Sequence, residues 1–271
     1  MDRQEPAGGN HSSGIGRSNV AAHAAMVKNV IALHYSELFR AAVSLLYPAT
    51  CTICRKQVRA GEYLCDGCEA KIIRIVPPFC ETCSEPFEGS INTAFSCANC
   101  AHRTIYFDAA VAAYRGRGIV RDIIHEFKYN RQIHLRHLVA RWLRAALDDE
   151  RLRDCQFDVI VPVPLHPARQ RERGFNQASL LAQLLSAHTA IPRRPLLQRI
   201  RYTTTQTALD RSERIENLHN AFRLRKNVDV RGLRVLLIDD VLTTGSTLSE
   251  CARVLKRAGA KCVHAATAAR A

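Results

Sequence analysis

Val235-Leu-Leu-Ile-Asp239-Asp240-Val-Leu-Thr243-Thr244-Gly245-Ser246-Thr247 decides the fold. Four branched apolar residues in a row read as a buried strand, and two acids end the run. Four hydroxyl residues and one glycine follow. A helix is then expected from about Thr247 to Ala258, with Gly259 as the residue that stops it. The same alternation recurs on both sides. Apolar runs at Val159–Val163 and Cys262–Ala266 read as strands, and Asn176–Ser186 reads as a helix. Upstream, Ala109–Tyr114 reads as a strand, followed by helices over Ile119–Phe127 and Ile133–Leu147. Strands alternating with helices predict an α/β domain with a mainly parallel sheet flanked by helices.

The chemistry of the quoted stretch follows from its residue types. Gly245 permits close approach of the backbone to a ligand. Free N–H groups at a helix start bind phosphate, and Thr243, Thr244, Ser246 and Thr247 add hydroxyl donors. Asp239 and Asp240 repel phosphate and suit sugar hydroxyls instead, as acids do at other nucleotide sites. The expected ligand is a sugar phosphate. The Gly-Lys-Ser/Thr of a Walker loop is absent.

Two imbalances lie outward from this stretch. The formal charge is +14, and its whole excess falls late in the chain. Residues 1–100 hold nine basic and nine acidic side chains, whereas residues 101–271 hold thirty and sixteen. Such a surface suits phosphates or nucleic acid, or only solubility. The cysteines divide the other way, with eight of the 11 between Cys51 and Cys100. They form four pairs: Cys51/Cys54, Cys65/Cys68, Cys80/Cys83 and Cys97/Cys100. A Cys-x2-Cys turn aims two sulfurs at one point, and two turns complete a tetrahedral site that suits zinc. Eight ligands predict two structural Zn²⁺ ions. Pairing of consecutive turns is the simplest assignment, although spacing leaves the connectivity open. A thioredoxin-like redox pair would stand alone at a strand-to-helix junction. Cys155, Cys251 and Cys262 have no such partner and read as small apolar residues.

No apolar run reaches ~18 residues, so no membrane insertion is expected. The first 25 residues are polar and Gly/Ser-rich, without the apolar core of a secretory signal, and read as a disordered tail. The expected location is the cytoplasm, where thiols stay reduced. Residues 26–48 read as an amphipathic helix ended by Pro48. The cysteine region is assigned to 49–103 and the α/β domain to 104–271. Arg169, Arg171 and Arg173 read as contacts to a phosphate or DNA, and His166 as a structural or capping residue.

At the acid-and-hydroxyl stretch the sequence resembles the type I phosphoribosyltransferases, whose phosphoribosyl pyrophosphate (PRPP) motif has this form. The resemblance is closer to the ComF family of competence-associated proteins. It is carried by Val161-Pro-Val-Pro164-Leu165-His166 with Arg169, Arg171, Arg173, Gly174, Phe175, Asn176 and Gln177. Thr205-Gln206-Thr207 with Leu209, Arg211, Arg214, Asn217, Ala221 and Phe222 carries it further, as do the four cysteine pairs ahead of the domain. It covers about residues 36–271. The resemblance implies a double zinc ribbon before a type I phosphoribosyltransferase fold.

It also implies roles. Asp239 and Asp240 would hold the ribose hydroxyls, and Thr243 to Thr247 the 5-phosphate. Val163, Pro164 and Leu165 would form the pyrophosphate loop. Arg199, Arg201, Thr205, Gln206 and Arg211 would belong to a lid that closes on pyrophosphate, with Asn176 and Gln177 orienting the same region. Mg²⁺ would enter with PRPP. Lys128 matches a family feature without an assigned role. The implied activities are phosphoribosyl transfer within nucleoside metabolism, PRPP sensing without transfer, or nucleic-acid binding in DNA uptake. Implied partners are single- or double-stranded DNA and competence or DNA-processing proteins. Because the sequence stops at Ala271, the acceptor is expected against the cysteine region or the helices of 109–147.

Overall fold

A computed structural model describes residues 48–89, 91, 93, 95–129, 132–202, 218 and 220–271. The expected tail and first helix, residues 1–25 and 26–48, lie almost wholly outside them. The chain forms two compact units, 1–51 with 55–62, and 52–54 with 63–271. In the small unit, Thr50 and Gln57 bridge, and the Cys51 N–H donates to the Lys56 carbonyl at 2.7 Å.

The large unit opens with two one-turn helices, α1 (Asp66–Glu69) and α2 (Ala98–Ala101). Strand β1 (Ala110–Arg115) precedes α3 (Ile119–Tyr129), a 3₁₀ turn, α4 (Arg136–Ala146) and α5 (Glu150–Arg153). Strand β2 (Val159–Pro162) leads into α6 (Pro167–Arg173) and α7 (Gln177–Thr189). A short antiparallel ribbon follows, β3 (Leu197–Arg199) with β4 (Phe222–Leu224). Then come β5 (Arg234–Leu242), α8 (Ser246–Arg257) and β6 (Cys262–Arg270).

Strands β1, β6, β5 and β2 lie in that order, all parallel. The predicted parallel α/β architecture is present. Apolar residues on both faces explain it, since a parallel sheet is covered by helices on both sides. Leu236 and Leu237 are fully buried, as are Ile160, Leu138, Leu143, Leu181 and Phe127. Each such side chain contributes about 1.5–3 kcal/mol of burial. Both edges are covered. Ile75 N–H donates to Ala113 along β1, and residues 192–194 bond on either side of Ile160 in β2.

One boundary differs from the sequence reading. Strand β5 does not stop at Ile238 but runs through Asp239 and Asp240 to Leu242. The reason is β6, whose Thr267, Ala269 and Arg270 keep pairing with Asp239, Val241 and Leu242. On its other side β2 ends at Pro162, opposite Ile238. Among the described residues, the two acids therefore stand where β6 pairs with β5 on one flank and no strand pairs with it on the other.

Candidate functional site

In open parallel sheets, ligands bind beyond the carboxyl ends of the strands. Here β2 ends at Pro162, opposite Ile238, while β5 runs on past the two acids to Leu242. Beyond β2, Val163 N–H donates to the Ile238 carbonyl at 2.9 Å, and Asn176 Nδ2 donates to the Val163 carbonyl at 3.0 Å. Asn176 also caps α7 by accepting from Ser179 N–H. The Val163-Pro164-Leu165 turn is thus fixed beside the acids. His166 caps α6, as expected, accepting from Ala168 N–H.

Asp240 is buried, and Lys128 Nζ at the end of α3 lies 3.0 Å from its Oδ1. Lys128 is held in turn, since its carbonyl accepts from Gln177, and Gln177 accepts from Arg173. This line joins the end of α6 and the start of α7 to the acid pair. It gives Lys128 a place that the sequence left open. Asp239 accepts from the Asp240 N–H at 2.9 Å. Burial, with the Asp240 charge, pushes the Asp239 carboxyl up to about 7, while Lys128 and Arg199 pull the other way. Arg199 sits on β3 with its guanidinium 5.4 Å from the Phe222 ring, and burial lowers its pKa. Arg201 is exposed just beyond β3. Thr205, Gln206 and Arg211 lie outside the described residues.

After β5 the hydroxyl loop turns into α8. Gly245 takes the left-handed conformation, φ 74°, and stands before the first helical residue, Ser246. Thr244 Oγ1 and Ser246 Oγ are 2.9 Å apart. Of the loop residues, Thr243 is exposed, Thr244 and Thr247 are half-buried, and Gly245 and Ser246 are buried.

Two residues at this loop were not legible as site residues. Arg103 donates to the Ser246 hydroxyl at 2.9 Å and to the Thr244 carbonyl. Asn99 donates to the same carbonyl at 3.0 Å. Nothing local marks either residue, because the contact spans over 140 positions. A Cβ added at Gly245 would stand 3.4 Å from Arg103 Nη2, so the close approach that the glycine permits includes this guanidinium. A cavity of about 660 Å³ lies between Cys97, Ala98 and Asn99 and the loop residues Thr243 and Thr244.

The cysteines assemble as the simplest pairing predicted. The sulfurs of Cys51, Cys54, Cys65 and Cys68 lie within 4.8 Å of one another, and so do those of Cys80, Cys83, Cys97 and Cys100. A tetrahedral ZnS₄ site has sulfurs roughly 3.8 Å apart, so both groups fit zinc. Hydrogen bonding to Cys80 and Cys83, together with burial, pushes the Cys100 thiol up, while Cys100 and Cys83 stabilise the Cys80 thiolate. Four thiolates at this spacing repel one another, and a divalent cation relieves that repulsion. Of the remaining cysteines, Cys251 is buried as expected, while Cys155 and Cys262 are half-buried. No described helix is long and apolar enough to cross a membrane.

Comparison with known proteins agrees with both halves. Residues 42–103 match the family model of a double zinc ribbon domain, and residues 138–271 that of a phosphoribosyl transferase domain. The chain is 35% identical to competence protein F of Haemophilus influenzae, over 77% of this chain and 91% of that protein. It is 32% identical to the DNA utilization protein YhgH of Salmonella typhimurium, over 81% and 96%. It is 28% identical to competence protein ComFC of Bacillus subtilis, over 74% and 81%.

Proposed function

From its membership of the ComF family of competence proteins, with a double zinc ribbon and a type I phosphoribosyltransferase fold, we propose that this chain binds PRPP at the carboxyl end of β5. It transfers or senses the phosphoribosyl group in the cytoplasm, as part of DNA uptake. The observation that carries this reading is the stretch of β5 beyond Ile238. Asp239 and Asp240 lie where, among the described residues, only β6 pairs with β5, and the hydroxyl loop and the start of α8 follow within six residues. In this reading the backbone of Gly245 and the hydroxyls of Thr243, Thr244, Ser246 and Thr247 hold the 5-phosphate. Asp239 and Asp240 hold the ribose hydroxyls. The Val163–Leu165 turn holds pyrophosphate, and Arg199, Arg201 and Gln206 close over it.

The residues also fit a cation that arrives with its ligand. Asp240 is engaged by Lys128, and Asp239 is reluctant to ionise, so the acid pair by itself is a weak cation site. Mg²⁺ bound mostly through substrate would supply neutralisation of the pyrophosphate charge. The protein's share is placement, exclusion of water and stabilisation of the charge that develops as pyrophosphate leaves the anomeric carbon. DNA contact is assigned to residues 101–271, where the basic excess lies.

The test is titration calorimetry of PRPP with Mg²⁺. Asp239→Asn and Asp240→Asn are each expected to weaken affinity at least tenfold, and affinity unchanged from wild type in both would overturn the assignment. Wild-type affinity should fall as pH drops through about 7, because Asp239 takes up a proton there. That dependence should vanish in Asp239→Asn. The sign for stability is opposite. Between its unfolded value of 3.8 and about 7, the folded protein holds the extra proton, so Asp239 costs stability as pH rises. Asp239→Asn should therefore raise the melting temperature at pH 8 while it weakens binding.

A further inference from the structure

Arg103 and Asn99 have no part in the proposed PRPP contacts, yet both bond the loop assigned to phosphate. Asn99 lies inside the fourth Cys-x2-Cys turn, between Cys97 and Cys100, on helix α2. Arg103 follows three residues after Cys100. Their donors converge on one acceptor, the Thr244 carbonyl, and Arg103 also takes the Ser246 hydroxyl. Tyr106 N–H reaches Ser249 Oγ at 3.2 Å and ties the same segment to the first turn of α8.

The consequence follows from peptide geometry. A trans peptide is planar, with its N–H pointing opposite to its C=O. Drawing the Thr244 carbonyl toward the ribbon therefore turns the Gly245 N–H to the other side. Two effects favour an anion at this loop. The carbonyl, whose partial negative charge would repel phosphate, is occupied by two donors. A guanidinium, always charged and planar, stands beside the loop and lowers the cost of placing a dianion there. The first turn of α8 adds the N-terminal end of a helix dipole.

We propose that Arg103 and Asn99 are positioning residues of the sugar-phosphate site. Through them the second zinc ribbon braces the loop that receives the 5-phosphate of a phosphorylated ribose. Metal in the Cys80/Cys83/Cys97/Cys100 group fixes Asn99 from both sides, so occupancy of that group favours the ligand. By reciprocity of linkage the ligand then retains the metal. The proposal rests on reading residues 243–247 as a phosphate loop.

The test uses the full chain loaded with zinc, with ribose 5-phosphate and then PRPP plus Mg²⁺ as probes in calorimetry. A charge-assisted hydrogen bond contributes about 1.5–3 kcal/mol, so Arg103→Ala should weaken both probes by roughly tenfold to a hundredfold. Arg103→Lys, which keeps the charge but loses the fork, should recover part of that loss. Asn99→Ala should show a smaller loss. All three should retain two zinc ions per chain and melt within a few degrees of wild type. In wild type, ribose 5-phosphate should slow transfer of zinc from the Cys80/Cys83/Cys97/Cys100 group to a chelator, and Arg103→Ala should abolish the slowing. Unchanged affinity in Arg103→Ala, with no slowing in wild type, overturns the proposal. Should wild type bind neither probe, the phosphate-loop reading fails by itself. The brace is then decided by hydrogen exchange at the amides of 244–249, which must accelerate in Arg103→Ala, and unchanged exchange refutes it.

Discussion

The two cysteine groups are built from the same parts and embedded differently. Each begins with a turn in which the first cysteine's N–H donates five residues ahead: Cys51 to Lys56 at 2.7 Å and Cys80 to Glu85 at 2.8 Å. In each, the residue after the second cysteine is left-handed, Arg55 at φ 64° and Ser84 at φ 56°. Each closes with a cysteine before a one-turn helix, Cys65 before α1 and Cys97 before α2. Their surroundings diverge. In the first group Cys54 is exposed and Cys65 half-buried, while all four sulfurs of the second are buried. These four belong to one apolar cluster with Phe107, Ala110, Val161, Leu237 and Leu248 of the α/β domain. Ligand spacing therefore reports the metal but not the work done by the module. The first group is a local staple, and the second is part of the domain's core.

The largest effect separates the groups directly. Cys97→Ser should release one zinc and cost the large unit more than about 5 kcal/mol, because metal binding there is folding free energy and the hole opens into the core. Cys65→Ser should also release one zinc yet leave the main thermal transition near its wild-type temperature. The same contrast should show in kinetics, with a chelator stripping one zinc quickly and the other slowly. Zinc stoichiometry with calorimetric melting checks both, and equal losses in the two variants would erase the distinction.

An intermediate effect is expected at Arg151, which links the second ribbon to α5. Its guanidinium pairs with both oxygens of Asp149 at 2.8 Å, donates to the Glu81 carbonyl at 2.9 Å and to Ser84 Oγ at 3.0 Å. It also lies 4.4 Å from the Phe79 ring centroid. Arg151→Ala leaves Asp149 and the ribbon carbonyls without these partners, a loss of roughly 2–4 kcal/mol in denaturant unfolding. A change under about 0.5 kcal/mol would mean that this polar link adds nothing to the hold that the metal and the apolar cluster give the second ribbon.

The sequence made some of this legible and hid the rest for a physical reason. Strands and helices showed because burial imposes a local period, and Val235–Ile238 carries its own evidence. The zinc groups showed because a chelating turn is a local object. The continuation of β5 past Asp239 did not show, since two acids are poor strand residues and β6 supplies the pairing from elsewhere. Arg103, Asn99 and Arg151 were hidden similarly, as polar residues without periodicity whose partners lie about 70 to 145 positions away. Lys128 stands out in the sequence only by resemblance, and its contact to Asp240 gives the physical account. The expected first helix and Gln206 fall outside the described residues.

The smallest effect is the sharpest on the comparison, because it falls on equivalent positions. Ser84 and Arg55 occupy the same left-handed place after a Cys-x2-Cys turn, so alanine leaves the backbone cost alike at both. Only Ser84 is enclosed. Its hydroxyl donates to the Ala110 carbonyl at 3.0 Å and accepts from Arg151 and from the Ala112 N–H at 3.3 Å, joining the ribbon to β1. Ser84→Ala should cost about 1–2 kcal/mol, the price of unpaired buried groups, whereas Arg55→Ala at an exposed position should stay within about 0.5 kcal/mol. A double mutant with Arg151→Ala should lose less than the sum of the two, since one hydrogen bond is shared. Chemical denaturation of the four variants beside wild type measures this. Strict additivity, or equal costs at 55 and 84, would place the hydroxyl outside the joint between ribbon and sheet.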